Sequence, residues 1–467
     1  MIKGQASEGH ARELLEIART IQETSQDLSL CGNAVFSLLS RIFTLLETSS
    51  STVTLGSDAP SLSTSLLCLS NEKINSYPYR EVPLCWRRLY TDSTLLKSIS
   101  QLHEHDTSED VLLGVIRDLD LALIVAGAPG QNRSQLLFKI ISIAQSLLPS
   151  NAASNNDPRP LKRPRISNNP TRLDPPYLAR PIPILPSLPD FLLPSSDPSH
   201  QRPSIVRSVA SEWTATEKWK DVEYLRSIGG GRGRVVPVEV GNDYTKEGWG
   251  QRIIPWHEFL NSMFHQTGAN EEGEKETFYL AQHSLLTQFP SLSRDFPIPS
   301  LVYSDPPALE DYPEYTPPTN EEGWIMNAWL GKGGTVSQAH TDPFWNCYVQ
   351  VVGSKWVWIA PPSVGSHMAT FGGTSPSTVD TDDQEGEQST ATEFMTNTST
   401  IDVTQSLPSS STTSPDTSSY YPPAFLQEVE SKAQQIVLEA GDVLVMPPGW
   451  WHAMKSLETS FSISIWF

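Results

Sequence analysis

The chain has 467 residues, with 33 Lys and Arg against 53 Asp and Glu. The resulting formal net charge of −20 excludes a general nucleic-acid binder, because phosphate contacts need clustered cations. Charged residues make up 18% and prolines number 38, fewer charges and more proline than the ~25% and ~5% of average globular chains. The length suits about two to four domains, and 13 Trp, 13 Tyr and 15 Phe can build real cores, so the composition reads as folded domains diluted by Pro/Ser/Thr-rich segments.

In chain order, residues 1–150 read as an α-helical N-terminal domain. Leu14, Leu15, Ile17 and Ile21 recur at helical spacing, as do the apolar residues of AVFSLLSRIFTLLE (34–47) and QLLFKIISIAQSLL (135–148). Ser7 is a plausible N-cap before HARELLEIA, and the Ser/Thr-rich stretch 49–65 reads as a loop. The apolar stripes read as core, with partner binding as the alternative. LALIVAGA (121–128) is too short to span a bilayer, and MIKGQASEGHARELLE has no signal-peptide apolar region. Cys31, Cys68, Cys85 and Cys347 form no C-x-x-C pair and read as reduced thiols of an intracellular chain.

Residues 151–204 read as a disordered Pro-rich linker. PLKRPR, with Lys162, Arg163 and Arg165, suits a nuclear-import signal. The expected location is the nucleus, with the cytoplasm as a second; neither membrane nor direct nucleic-acid contact is expected.

From residue 205 to 467 the chain turns β-rich. RVVPVEVG (234–241), WIMNAWLG (324–331), CYVQVVG (347–353), KWVWIAP (355–361), DVLVMPP (442–448) and SFSISIWF (460–467) read as short strands between turn signals. A sandwich or barrel is implied. Polar stretches near 372–393 and 406–419 read as disordered insertions in surface loops.

His340-Thr341-Asp342 places an imidazole and a carboxylate two residues apart, on one side of an extended backbone. GDVLVMPPGWWHA adds His452 at the end of a late strand, after a Pro-Pro-Gly turn. Two His and one carboxylate form the facial triad of non-haem Fe(II) oxygenases; alternatively His452 is a hydrogen-bonded core histidine. Lys355 opens the apolar strand WVWIAP and either caps it at the surface or points inward to an anion, such as a 2-oxoglutarate carboxylate. On spacing alone the surface role is favoured. Asn346 and Ser337 stand close to the triad in sequence.

These residues fall in blocks that resemble the JmjC-domain oxygenases, a double-stranded β-helix (cupin-like) family. The blocks are VPVEVGNDYTKEGW (236–249), YLAQHSLL (279–286), MNAWLG (326–331), GTVSQAHTDPFWNCYVQVVGSKW (334–356) and GDVLVMPPGWWHAMKSLETSFSISIWF (441–467). They look most like the branch of JmjC domain-containing protein 5, or lysine demethylase 8; CWRRLY…LLK (85–97) echoes that branch's helical region more weakly. The resemblance implies an α+β chain with a C-terminal JmjC barrel and an N-terminal helical region. It implies Fe(II) on His340, Asp342 and His452, and 2-oxoglutarate held by Tyr279, Ser337, Asn346 and Lys355 with Trp466 lining the pocket. It further implies a substrate pocket from Glu239, Gln282 and Trp329; read without it, Glu239 is a polar strand position and Trp329 a barrel-wall aromatic. The implied enzyme is a 2-oxoglutarate-dependent dioxygenase consuming O2 and acting on a protein or peptide, with basic histone-like or ribosomal proteins as possible partners. Arginyl hydroxylation is the preferred reaction, histone H3 lysine demethylation the second, and a non-catalytic chromatin-binding module the third reading. The insertions and the aromatic PFWN and PPGWWH loops depart from the family pattern and bear on the substrate entrance.

Overall fold

A computed structural model describes residues 8–49, 58–78, 81–103, 107–149, 172–176, 180–185, 187, 202–241, 249–263, 276–306, 309, 315–371, 397–405 and 421–467. Ser7, the PLKRPR cluster and the two expected insertions lie outside the described residues. The chain divides into two compact units, one of residues 1–162, 226–236 and 253–259, the other of residues 163–225, 237–252 and 260–467. Among the described residues no helix is long and apolar enough to cross a membrane.

The first unit holds helices α1 (Glu8–Glu23), α2 (Asn33–Ser49), α3 (Asp58–Asn75), α4 (Leu84–His103), α5 (Glu109–Leu121) and α6 (Arg133–Leu147). Leu14, Ile17 and Ile21 of α1 join Leu39, Ile42 and Leu46 of α2 and Leu89, Leu96 and Ile99 of α4 in one core. Inside it Arg133 donates to Asp92 at 2.6 Å, and Arg88 reaches the same carboxylate at 3.1 Å. The loop expected over 49–65 is corrected in part, because α3 begins at Asp58. Its buried side is Ala59, Ser63, Leu66, Ser70 and Ile74, a helical spacing built largely from small residues that apolar counting overlooks. Thr64 and Ser65 return their hydroxyls to the carbonyls of Pro60 and Ser61, at 2.8 and 3.0 Å.

The strands, all in the second unit except the first two residues of β3 and the last three of β4, are β1 (Ile184–Leu185), β2 (Ser204–Val206), β3 (Val235–Val240), β4 (Gly250–Pro255), β5 (Phe278–His283), β6 (Ile325–Gly331), β7 (Val336–Thr341), β8 (Asn346–Val352), β9 (Lys355–Ala360), β10 (Gln434–Leu438), β11 (Val443–Met446), β12 (Trp451–Ser456) and β13 (Ser460–Trp466). Among the described residues one sheet runs β1-β2-β11-β8-β13-β6-β5-β3-β4 and the other β10-β9-β12-β7. Helices followed by largely antiparallel sheets make the chain α+β, and the two sheets suit a double-stranded β-helix. The stretch expected as linker is not structureless throughout. Ile182 is buried in the core, and β1 pairs in parallel with β2, because a short Ile-Pro-Ile-Leu run supplies apolar side chains between its prolines.

Strand β9 shows how the layers are arranged. Trp356, Trp358 and Ala360 face an outer core with Val364, Val403, Tyr421 and Phe425. Val357 and Ile359 face an inner core with Tyr348, Leu444 and Met454. Alternation therefore puts Lys355 on the inner side. The turn from β8 to β9 passes through Gly353 at φ +73°, where an added Cβ would strike the Thr459 carbonyl oxygen.

Gly353→Ala should lower stability by about 1–3 kcal/mol, measured by urea denaturation of the full chain. An unchanged midpoint would show that this turn can relax.

Candidate metal and co-substrate site

β7 and β12 pair antiparallel, with His340 directly opposite His452. The imidazole centroids lie 4.3 Å apart. Asp342, one residue past β7, places Oδ1 at 3.8 Å from His340 Nε2 and Oδ2 at 3.5 Å from His452 Nε2. One ligand atom from each of the three lies within 4.8 Å of the other two. The turn before β12 holds this geometry, since the Gly449 amide, at φ +76°, donates to the Asp342 carbonyl at 2.8 Å.

The tautomers suit a metal. His340 Nδ1 donates to the Gln338 carbonyl at 2.7 Å and His452 Nδ1 to the Trp450 carbonyl at 3.1 Å. A carbonyl only accepts, so each Nδ1 carries a proton and each Nε2 faces the site. Burial, helped by the nearby His452, pushes His340 down to about 4, so its ring is neutral. Burial opposes charge on Asp342 and His452 alike. Their mutual hydrogen bond and attraction outweigh it, holding the carboxyl below and the imidazole above the usual values. Two imidazoles and a carboxylate on one side leave the other coordination positions of an octahedral ion open.

A second group of side chains lies deeper. Lys355 is 1% exposed, which overturns the surface role favoured on spacing. Its ammonium donates to Tyr348 Oη at 2.9 Å and Tyr279 Oη at 3.2 Å. Among the described residues no carboxylate pairs with it, and burial pushes it down to about 7. Asn346 and Trp466 are Cα partners across β8 and β13. Asn346 Oδ1 and Trp466 Nε1 are buried polar atoms without a hydrogen-bond partner, while Asn346 Nδ2 reaches Asp342 Oδ2 at 3.4 Å. Buried groups of this kind cost stability unless something satisfies them. The Lys355 ammonium, the two phenols, Asn346 Nδ2 and Trp466 Nε1 are donors, and a small dianion with two carboxylates and a keto group fits them.

Ser337 joins this side through a bulge. Between the pairs His452–His340 and Met454–Ser337, one residue of β12, Ala453, opposes two of β7, Gln338 and Ala339. Met454 belongs to the inner core, so the slip turns Ser337 inward together with His340, although they stand three positions apart.

The residues expected at the substrate side stand on β3, β5 and β6. Glu239 is the Cα partner of Tyr279, whose ring lies 6.1 Å from that of Trp329. Trp329 Nε1 donates to Ser464 Oγ at 3.1 Å. Gln282 lies in a bulge of β5 at φ +48°, opposite the stretch of β6 that holds Trp329.

Sequence reasoning missed Tyr348 and Asn327. Tyr348 follows Asn346 by two positions on β8, so strand alternation alone would have found it. Asn327, two positions before Trp329 on β6, is 5% exposed with its Nδ2 unpartnered; no motif marks it.

Comparison with known proteins matches residues 198–467 to the Cupin-like domain family. The chain is 30% identical over 400 residues to "Lysine-specific demethylase 8" of Danio rerio, covering 85% of this chain and 84% of that protein. It is 30% identical over 401 residues to "Jumonji C domain-containing protein 5" of Drosophila melanogaster, with the same shares. A more distant relative is "Bifunctional peptidase and (3S)-lysyl hydroxylase JMJD7" of Homo sapiens, 23% identical over 62% of this chain and 83% of that protein.

His452→Ala in the full chain should weaken binding of Mn(II), an ion that mimics Fe(II) without its redox turnover, by more than about 100-fold, beyond the usual ~10–100-fold effect of outer partners. Titration calorimetry reads this; unchanged affinity would place the ion elsewhere.

Proposed function

From the premise that this chain belongs to the cupin-like JmjC family and is a 2-oxoglutarate-dependent dioxygenase, we propose that it uses Fe(II) to hydroxylate a side-chain carbon of an arginine in a protein substrate. When bound, iron and 2-oxoglutarate supply the oxidising chemistry: O2 is consumed, 2-oxoglutarate leaves as succinate and CO2, and one oxygen atom ends on the substrate.

The chain's own residues supply placement. His340, Asp342 and His452 would hold the ion on one side, the Nε2 atoms of the two histidines aimed by the Gln338 and Trp450 carbonyls. Lys355, with Tyr279 and Tyr348, would hold a carboxylate of the co-substrate. Asn346, Ser337 and Trp466 complete that pocket, and the apolar inner core keeps it dry.

The substrate reading rests on the types and placement of Glu239, Gln282 and Trp329. A carboxylate can take a guanidinium in two hydrogen bonds, an amide adds an acceptor, and an indole face stacks on the planar cation. The bulge that carries Gln282 has a positive φ in a residue other than glycine, a form of strain that proteins retain where a side chain must be aimed. The net charge of −20 favours encounter with basic proteins, histone-like or ribosomal. The second reading is N-methyl oxidation of lysine, in which the hydroxylated methyl group leaves as formaldehyde. It is supported by similarity to the relatives named lysine-specific demethylases.

Incubating the full chain with Fe(II), 2-oxoglutarate and paired arginine and methyl-lysine peptides separates the two by mass spectrometry. A gain of one oxygen on arginine is expected, with His340→Ala abolishing both that product and succinate; loss of a methylene from methyl-lysine would replace this reading with demethylation.

Lys355 gives the reaction a pH dependence. Below pH about 7 the amine is charged and meets the carboxylate directly. Above it, the amine must take up a proton as the co-substrate binds. The apparent Kd for 2-oxoglutarate should therefore weaken by up to about tenfold per pH unit above that value, read by titration into the Mn(II)-loaded protein. Lys355→Arg, whose charge persists, should flatten the slope; a flat wild-type profile would exclude a neutral lysine.

A further inference from the structure

The 361–433 connection between β9 and β10 contains both polar stretches expected from sequence, yet residues 397–405 between them lie against the metal-bearing strand. β7 is an edge strand of its sheet. Asn397 grips both backbone groups of Thr341, the residue between His340 and Asp342. Its carbonyl accepts the Thr341 amide at 3.0 Å, and its side-chain Nδ2 donates to the Thr341 carbonyl at 2.9 Å. Thr398 bridges to His340, and the Ser399 amide donates to the Ala339 carbonyl at 2.8 Å. The segment is anchored in turn. Ile401 and Val403 are buried in the outer core, and the Ser399 hydroxyl binds the Met368 carbonyl.

We infer that Asn397 is a positioning residue for the metal centre, holding the His340-Thr341-Asp342 backbone in the geometry that presents both ligands to one ion. The inference rests on the metal reading above. An edge strand has one side of its backbone unpaired and frays more readily than a central one. Here His340 lies at the end of β7 and Asp342 one residue past it, where fraying begins. Gly449 fixes the carbonyl of Asp342, but Thr341 has its outward-facing N–H and C=O bound by Asn397. If the peptide units around Thr341 rotate, His340 and Asp342 move apart, and both must be in place for either to bind well. Asn397 is itself exposed and lies in no core; its side chain donates to Thr341 and accepts a long bond from the neighbouring Thr398 hydroxyl at 3.5 Å, so what it adds is chiefly an alignment of the site.

The test uses the full chain and Mn(II), with Asn397→Asp and Asn397→Gln. Aspartate keeps the shape but cannot donate and sets a negative charge against the Thr341 carbonyl; glutamine keeps the donor. Asn397→Asp should raise the Mn(II) dissociation constant by about tenfold, the low end for residues that orient ligands, and broaden the Mn(II) electron paramagnetic resonance signal. Asn397→Gln should recover most of the affinity. Melting of the metal-free proteins should shift by less than about 2 °C in either variant. Unchanged Mn(II) affinity in Asn397→Asp overturns the inference. So does equal weakening of both variants in proportion to lost melting temperature, which would make Asn397 merely structural. A wild-type chain that binds no Mn(II) would instead remove the metal centre, and this inference with it.

Discussion

The register of β7 against β12 is the constraint on which the site depends. Side chains alternate along a strand, so a slip by one residue would turn His340 toward the outer aromatic layer and bring Thr341 inward. Pairing His340 with His452 sets one imidazole against the other, and the Pro-Pro-Gly turn then brings Asp342 to the same point. The bulge a few residues earlier adds something regular pairing cannot. It turns Ser337 inward as well, so one short strand serves the metal and the co-substrate pocket. Packing enforces this register from both sides: Ala339 and Ala453 sit in the outer core, Met454 in the inner one. A shifted strand would bury polar groups in both.

The deeper pocket depends on a different balance. A lysine buried without a carboxylate is expensive to keep charged, and the protein meets that by letting it approach neutrality between two phenols. Asn346 Oδ1 and Trp466 Nε1 add unsatisfied polarity nearby. Such a pocket lowers the stability of the empty protein and strengthens the attraction for an anion that accepts from its donors, Lys355 and the Trp466 indole among them. The same burial that disfavours the free ammonium makes its attraction to an incoming carboxylate stronger, because little solvent is left to screen it.

What could be read in the sequence follows from what has a short-range signature. The His-x-Asp pair, the histidine after Pro-Pro-Gly and the β-rich blocks are local patterns, and the resemblance they carried extends to Tyr279, Ser337, Asn346, Lys355 and Trp466. The burial of Lys355 was not legible, because a charged residue at a strand end is as readily solvated; only the closure of one sheet over another decides it. The inward turn of Ser337 depends on a bulge visible only in pairing, and α3 escaped notice because its buried side is made of small and hydroxyl residues. Asn397 was hidden for a further reason. It stands between two polar stretches with no apolar pattern of its own until Ile401 and Val403, and its role depends on a strand more than fifty residues earlier.

The metal side and the substrate side divide the chemistry between them. Hydroxylating an arginine carbon and hydroxylating an N-methyl group draw on the same oxidant, and the product depends on which C–H bond is held against it. A displacement of about 1 Å changes such rates by orders of magnitude. In the proposed function that choice is assigned to β3, β5 and β6, toward the opposite end of the larger sheet from β11 and β2. On the proposed reading, a strained glutamine, an indole anchored through its N–H to Ser464 and a glutamate on the next strand would there set the approach of the substrate. A methylammonium offers no planar face for Trp329 to stack on and fewer donors for Glu239 to accept, whereas a guanidinium satisfies both at once. The geometry that admits a flat, fork-shaped cation also orients its aliphatic stem, which is how a pocket selecting the head group can dictate the carbon that is oxidised.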